Sequence, residues 1–309
     1  GARQPHVCDI HWSKSGPNLG RIWVFGYDSQ PCLEGSKTPE MAKDRIKESF
    51  AAIQQEGRTG LIMFLTAGFP DRQATLELVP ALVAAGADII ELGVPFSDPL
   101  AEGPVIQESS FLALQQDITL ADCFEMVEEL RDKVPDTPLV LMGYYNPIYS
   151  YGLEKFAKRA QETGVDGLIA VDLPHSESAP LAEQCAAHGI HMIPLLAPTS
   201  TDDSIKESCV DAGGFIYCIS LTGVTGARDE LSGRGIELLE RVRPHTSLPL
   251  TVGFGISRRE HVETVCREAE AAVVGSALVR VMLESPRDQL VARASELVAR
   301  LAGRQIAAE

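Results

Sequence analysis

From residue 41 onward the chain alternates between two hydrophobic patterns. An amphipathic stretch over 42–56 leads into Leu61-Ile62-Met63-Phe64-Leu65-Thr66, an apolar run bounded by Gly60 and Gly68. A run without polar alternation reads as a strand buried on both faces. Seven more such runs follow, at 89–92, 138–142, 167–171, 192–196, 215–220, 248–252 and 271–274. Between them lie amphipathic segments at 72–86, 120–134, 152–164, 176–189, 201–213, 234–243 and 258–268, each long enough for a crossover helix. Eight buried strands separated by helices match a closed parallel barrel, whereas open doubly wound sheets usually have fewer. The predicted fold is therefore α/β, a (β/α)8 TIM barrel over 41–309. Ala-Gly-Ala-Asp at 85–88 and Thr-Gly-Val-Asp at 163–166 mark similar helix-to-strand turns, with each Gly expected just past a helix C-terminus.

Residues 1–40 break the pattern. They hold both tryptophans, Trp12 and Trp23, together with Gly16-Pro17 and Pro31, and sustain neither period. This segment reads as a poorly ordered N-terminal extension or start-site artefact, and its acids Asp9, Asp28, Glu34 and Glu40 count against a transit peptide.

Composition narrows the function classes. A hydrophobic content of 45% with 23% charged residues supports a sizeable core. The formal charge of −16 disfavours nucleic acid and anionic membrane surfaces as partners. Seven scattered cysteines, with no Cys-x-x-Cys pair, read as reduced thiols. With no long apolar run and no signal-peptide pattern, the expected location is the cytoplasm, or an organelle stroma or matrix after import.

In a (β/α)8 barrel the reacting groups lie at the C-terminal ends of strands and in the loops beyond them. That rule selects Glu91, flanked by Ile90 and Leu92 in the second strand, and Glu102 in the following loop. A carboxylate inside an apolar run loses its hydration at a cost of several kcal/mol unless paired or protonated, which suits a general acid or base with a raised pKa. Asp172, after the fourth strand, is a further candidate. Gly253-Phe254-Gly255-Ile256-Ser257 and Val274-Gly275-Ser276-Ala277 end the last two strands, where glycines admit backbone N–H groups to a phosphate. The loop at 220–229, with two glycines and two threonines, has the make-up of a lid.

These motifs make the sequence similar to the tryptophan synthase alpha chain family over roughly 43–303. Its most specific element is Glu91-Leu92-Gly93-Val94-Pro95-Phe96-Ser97-Asp98-Pro99. Leu65-Thr66-Ala67-Gly68-Phe69-Pro70, Gly223-Val224-Thr225-Gly226-Ala227, Gly253-Phe254-Gly255-Ile256-Ser257 and Gly275-Ser276-Ala277 accompany it in order. The resemblance implies a lyase that splits indole-3-glycerol phosphate into indole and glyceraldehyde 3-phosphate by a retro-aldol step, in tryptophan biosynthesis.

By the same resemblance Glu91 is the catalytic glutamate, and Glu102 occupies the position of a second acid that the family writes as aspartate in Pro-Leu-Ala-Asp-Gly-Pro. Asp98 is a separate residue of the motif. Phe64, Tyr144, Ile169, Tyr217 and Phe254 match the indole pocket; Gly226, Gly255, Gly275 and Ser276 match the phosphate cradle; Thr225 matches a lid threonine that meets the second acid. Leu221 replaces a lid arginine of some members. The resemblance implies no metal and no cofactor in this chain, with pyridoxal phosphate only in a beta chain partner, the two chains forming an αββα heterotetramer. Other readings stay open: an activating subunit whose own lyase has weakened through the Glu102 change, a stand-alone indole-3-glycerol phosphate lyase, or another phosphate-binding barrel such as a sugar-phosphate isomerase.

Overall fold

The computed structural model describes residues 43–219, 233–253, 255–265 and 267–304. The extension at 1–40, the expected lid with Leu221, Thr225 and Gly226, and Phe254 lie outside the described residues.

Among the described residues nine strands form one parallel sheet: β1 (Gly60–Thr66), β2 (Ile89–Gly93), β3 (Leu139–Gly143), β4 (Gly167–Ala170), β5 (His191–Met192), β6 (Leu195–Leu196), β7 (Ile216–Ile219), β8 (Leu250–Gly253) and β9 (Ala271–Val274). Their order is β5-β4-β3-β2-β1-β9-β8-β7-β6. The two ends of that series, β5 and β6, are halves of the single strand expected at 192–196. Pro194 has no N–H to give to a ladder, so it interrupts the strand. Hydrogen bonds continue across the break: Ile193 N–H donates to the Leu168 carbonyl at 2.9 Å, and Tyr217 N–H donates to the Pro194 carbonyl at 3.0 Å. The sheet thus closes on itself as a (β/α)8 barrel.

Alternation along the strands divides the core in two. Ile62, Ile89, Val140, Ile169, Ile193, Tyr217 and Val273 face inward, and the helix α1 (Arg45–Glu56) closes the bottom with Ile46, Phe50 and Ile53. Asp44 starts α1 by accepting from Lys47 N–H at 3.0 Å, and Gly57, at φ 63°, ends it. The outward set, including Met63, Ile90, Leu92, Leu141 and Val274, packs beneath the surrounding helices.

Those helices are α2 (Arg72–Ala85), α3 (Pro104–Leu114), α4 (Leu120–Lys133), α5 (Tyr145–Tyr151), α6 (Leu153–Thr163), α7 (His175–Ala187), α8 (Asp202–Val210), α9 (Gly233–Val242), α10 (Arg259–Val265), α11 (Ser276–Glu284) and α12 (Leu290–Ala302). Most fall within a few residues of their expected spans. Three were not anticipated. The short α5 contains an Asn-Pro pair, α3 is apolar on several sides, and α12 lies beyond the eighth strand–helix unit that the pattern counts. Among the described residues no helix is long and apolar enough to cross a membrane. Cys123, Cys185, Cys209 and Cys218 are free and buried.

The two similar turns carry a shared device. Gly86 and Gly164 close α2 and α6 at positive φ. The acid two residues on then caps the neighbouring strand: Asp88 accepts from Leu61 N–H and Asp166 from Leu139 N–H, both at 2.8 Å. Asp166 also binds Arg45 at 3.0 Å and Arg131 at 2.8 Å, which makes it a charged clamp at the barrel's lower rim. Glu270 repeats the arrangement on Leu250 N–H at 2.6 Å.

Candidate active site

Strand period decides where Glu91 points. Ile89 belongs to the inward set while Ile90 and Leu92 belong to the outward one, so Glu91, two positions beyond Ile89, projects into the barrel. It lies in register with Phe64 on β1 and Val140 on β3. Its side chain is fully buried, and among the described residues neither carboxyl oxygen has a hydrogen-bond partner. Loss of hydration, followed by repulsion from Glu102, raises its pKa from 4.5 to about 8. At neutral pH the group is a neutral acid that holds its proton in an apolar chamber.

Glu102 stands on the loop between β2 and α3, near enough for its charge to act on Glu91. Burial raises its pKa from 4.5 to about 7. The backbone of the loop is pinned at several points. Glu102 N–H donates to the Pro99 carbonyl at 3.0 Å, and the Gln107 side-chain amide donates to the Glu102 carbonyl at 2.9 Å. Ala101 N–H donates to the Tyr144 hydroxyl at 2.9 Å. The Tyr144 ring stacks on Phe96, with centroids 4.8 Å apart and planes 25° from parallel. Asp98 takes the Ser97 hydroxyl at 2.5 Å, a contact within the exposed part of the loop.

Phe64, Tyr144 and Glu102 line a narrow pocket that is partly open to solvent. Its other walls are Thr66, Gly93, Val94 and Pro99, which lie in the family motifs but carry no expected pocket role, and Ile106, Ser110, Met142 and Gly143, which the sequence does not single out. Gly93 had a detectable signal, since a glycine ending a buried strand marks a close approach. A Cβ there would stand 2.6 Å from the Phe64 ring. Ser110 had none, because it sits on the unanticipated α3.

Tyr217 and Ile169 are buried in the inward core. The Tyr217 phenol titrates well above 10, first because it is buried and then because it faces the charges of Glu91 and Glu102. A side chain at Gly253 would collide with the Tyr217 ring, which leaves that strand end free for the tyrosine. Gly275 and Ser276 stand at the start of α11, whose first N–H groups point out of the helix end. Gly255 adopts φ 37°, with open space where a Cβ would stand. Asp172 is not part of this group: β4 ends at Ala170, and the Asp172 carboxylate accepts from Tyr145 N–H at 2.7 Å. It serves as a cap at the start of α5, because its short side chain reaches the nearest unpaired helix donor. Among the described residues no three His, Cys, Asp or Glu side chains converge as a metal site.

A parallel barrel that holds a buried glutamate without a hydrogen-bond partner among the described residues, with a second carboxyl of raised pKa on the following loop, defines the class: a (β/α)8 protein with two high-pKa carboxyls toward the C-terminal ends of its strands. Comparison with known proteins gives the family. A family model described as tryptophan synthase alpha chain matches residues 50–305. The tryptophan synthase alpha chain of Roseiflexus sp. (strain RS-1) is 50% identical over 259 residues, covering 84% of this chain and 99% of that protein. That of Chloroflexus aurantiacus is 48% identical over 257 residues, covering 83% and 97%. Among solved structures, tryptophan synthase subunit alpha from Legionella pneumophila superposes with a TM-score of 0.77 at 34% identity, covering 85% of this chain and 98% of that one. A chain of the tryptophan synthase complex from Pyrococcus furiosus gives 0.74 at 40% identity, covering 79% and 98%. The chain belongs to the tryptophan synthase alpha chain family.

Proposed function

We propose that this chain cleaves indole-3-glycerol phosphate to indole and glyceraldehyde 3-phosphate, with Glu91 and Glu102 as its catalytic acids. The observation that carries the reading is the buried, unpartnered Glu91 carboxyl, whose pKa of about 8 keeps it protonated near neutrality. Glu91 donates its proton to indole C3, so that the ring becomes an electron sink. The Glu102 carboxylate accepts the indole N–H and stabilises the positive charge. Glu91, now ionised, removes the proton from the glycerol hydroxyl beside the C3 substituent bond. That oxygen's electron pair forms the aldehyde, the carbon–carbon bond breaks, and its pair returns to the ring as neutral indole. Protons and electrons balance without metal or organic cofactor.

Phe64, Tyr144, Ile169 and Tyr217 supply flat and aliphatic walls for the indole ring. Gly255, Gly275 and Ser276 are the described part of a phosphate cradle, which Gly226 would complete by family resemblance. Thr225, on the lid, would then meet Glu102. The partner is a beta chain carrying the pyridoxal phosphate, in an αββα assembly of a cytoplasmic biosynthetic enzyme; a solved tryptophan synthase complex among the structural relatives supports the existence of a partner chain.

The test is indole release from indole-3-glycerol phosphate, with and without a beta chain, for the native chain, Glu91→Gln and Glu102→Asp. Native turnover that is lost in Glu91→Gln, with the fold intact, supports the reading. A native chain without turnover, revived by Glu102→Asp, would overturn it in favour of an activating subunit.

A further inference from the structure

We infer that Ser110 is a positioning residue for Glu102, acting through Phe96 and the Tyr144 ring. The inference rests on the proposed role of Glu102 and adds the part of the fold that aims it. Ser110 is buried on α3, eight residues beyond Glu102 in sequence, and its hydroxyl serves both backbone groups of Phe96. It accepts from Phe96 N–H at 2.9 Å and donates to the Phe96 carbonyl at 3.0 Å. Both capacities are spent on the loop, although the side chain lines the pocket.

Phe96 passes the constraint on. Its ring lies against Tyr144, and the Tyr144 hydroxyl takes the N–H of Ala101, the residue before Glu102. Tyr144 is itself fixed from below, since the next residue's N–H is held by Asp172. The loop from Val94 to Gly103 is therefore tied at its start by Ser110 and near its end by Tyr144, and the stacked rings join the two ties. Neighbouring Ser109 binds α3 to the barrel wall through the Thr66 hydroxyl at 2.6 Å, so Ser110 stands on a support anchored to β1. A loop held in this way fixes where the Glu102 carboxylate meets the indole N–H, and a displacement of about 1 Å in a catalytic group costs on the order of 100-fold.

The experiment is a double-mutant cycle on the full chain with a beta chain present. Ser110→Ala should lower kcat by roughly tenfold and leave KM within about threefold, the mark of a misplaced catalytic group rather than a lost contact with substrate. In a Glu102→Gln background the same change should alter kcat by less than about twofold, because its target is gone. An equal loss in both backgrounds, or no loss in the native one, overturns the inference alone. Native kcat in Glu102→Gln by itself overturns the role of Glu102 and the inference with it. Should Glu102→Gln be too slow to measure, the Glu102 titration decides, followed by carboxyl carbon-13 NMR in Glu91→Gln. Ser110→Ala should move its midpoint from about 7 toward 4.5 as the released loop lets the carboxyl reach water. An unmoved midpoint overturns the inference, and a thermal midpoint close to that of the parent shows the fold intact.

Discussion

Replacing Glu91 by Gln should stabilise the protein at alkaline pH, and the gain should vanish in acid. In the folded chain Glu91 keeps its proton up to about pH 8; in the unfolded chain it ionises near 4.5. Between those values the folded state binds more protons than the unfolded one, so stability falls as pH rises. Each tenfold difference in proton affinity is worth about 1.4 kcal/mol. The penalty at this one position is therefore roughly 2 kcal/mol at pH 6 and about 4 kcal/mol at pH 8. Gln has nearly the shape of a protonated glutamate and no charge to lose, so it escapes the penalty. Urea unfolding of the native chain and Glu91→Gln, at pH 5, 6 and 8, isolates the site because titrations away from the Glu91–Glu102 pair cancel in the difference. The gain should be just under about 1 kcal/mol at pH 5 and about 4 kcal/mol at pH 8. A difference that does not change with pH, or a variant less stable at pH 8, would refute the claim that a neutral carboxyl is buried here without partners.

Three further outcomes follow from other parts of the structure. The pH profile of kcat/KM should be bell-shaped, rising near pH 7 as Glu102 ionises and falling near pH 8 as Glu91 loses its proton, with both limbs belonging to the coupled pair; a level profile from pH 6 to 9 contradicts the assignment. Asp166→Asn should lower unfolding free energy by about 3–5 kcal/mol, since it strips charge from a buried group that faces Arg45 and Arg131; Glu128→Gln, at an exposed pair with Arg159, should stay within about 1 kcal/mol in the same urea experiment. Gly93→Ala should cost about 1–3 kcal/mol in unfolding free energy and weaken substrate binding, because its methyl would drive the Phe64 ring into the pocket; unchanged stability and KM would show that the ring has room to move.

Much of the barrel was legible in the sequence because its strands are buried on both faces and so read as unbroken apolar runs. The fifth strand shows the limit of that signal: residues 192–196 are uniformly suited to burial, yet Pro194 splits them, and a missing N–H matters only where a neighbouring strand calls for it. Helices α3 and α5 escaped notice for a related reason. Helix α3 buries Ser109 and Ser110 while leaving Phe111 60% exposed, which inverts the usual apolar stripe, and α5, at seven residues, is too short to display a 3.6-residue period. Asp172 looked like a candidate acid from its place after a strand, and only its contact with Tyr145 shows it to be a cap.

The sequence by itself determined that this chain alternates strands and helices, that Glu91 sits where burial makes an acid reactive, and which family it resembles. It could not say which way Glu91 faces, because a period of two fixes which residues share a side but not which side is the interior. Closure of the sheet settles that, because it puts Ile89, and with it Glu91, on the inner face. Nor could it bring Glu102 beside Glu91 or connect Ser110 to Phe96, since those proximities arise from loop closure over a barrel wall rather than from spacing along the chain. The raised affinity of both acids for protons is a property of that enclosure: it exists only once the walls around them have excluded water.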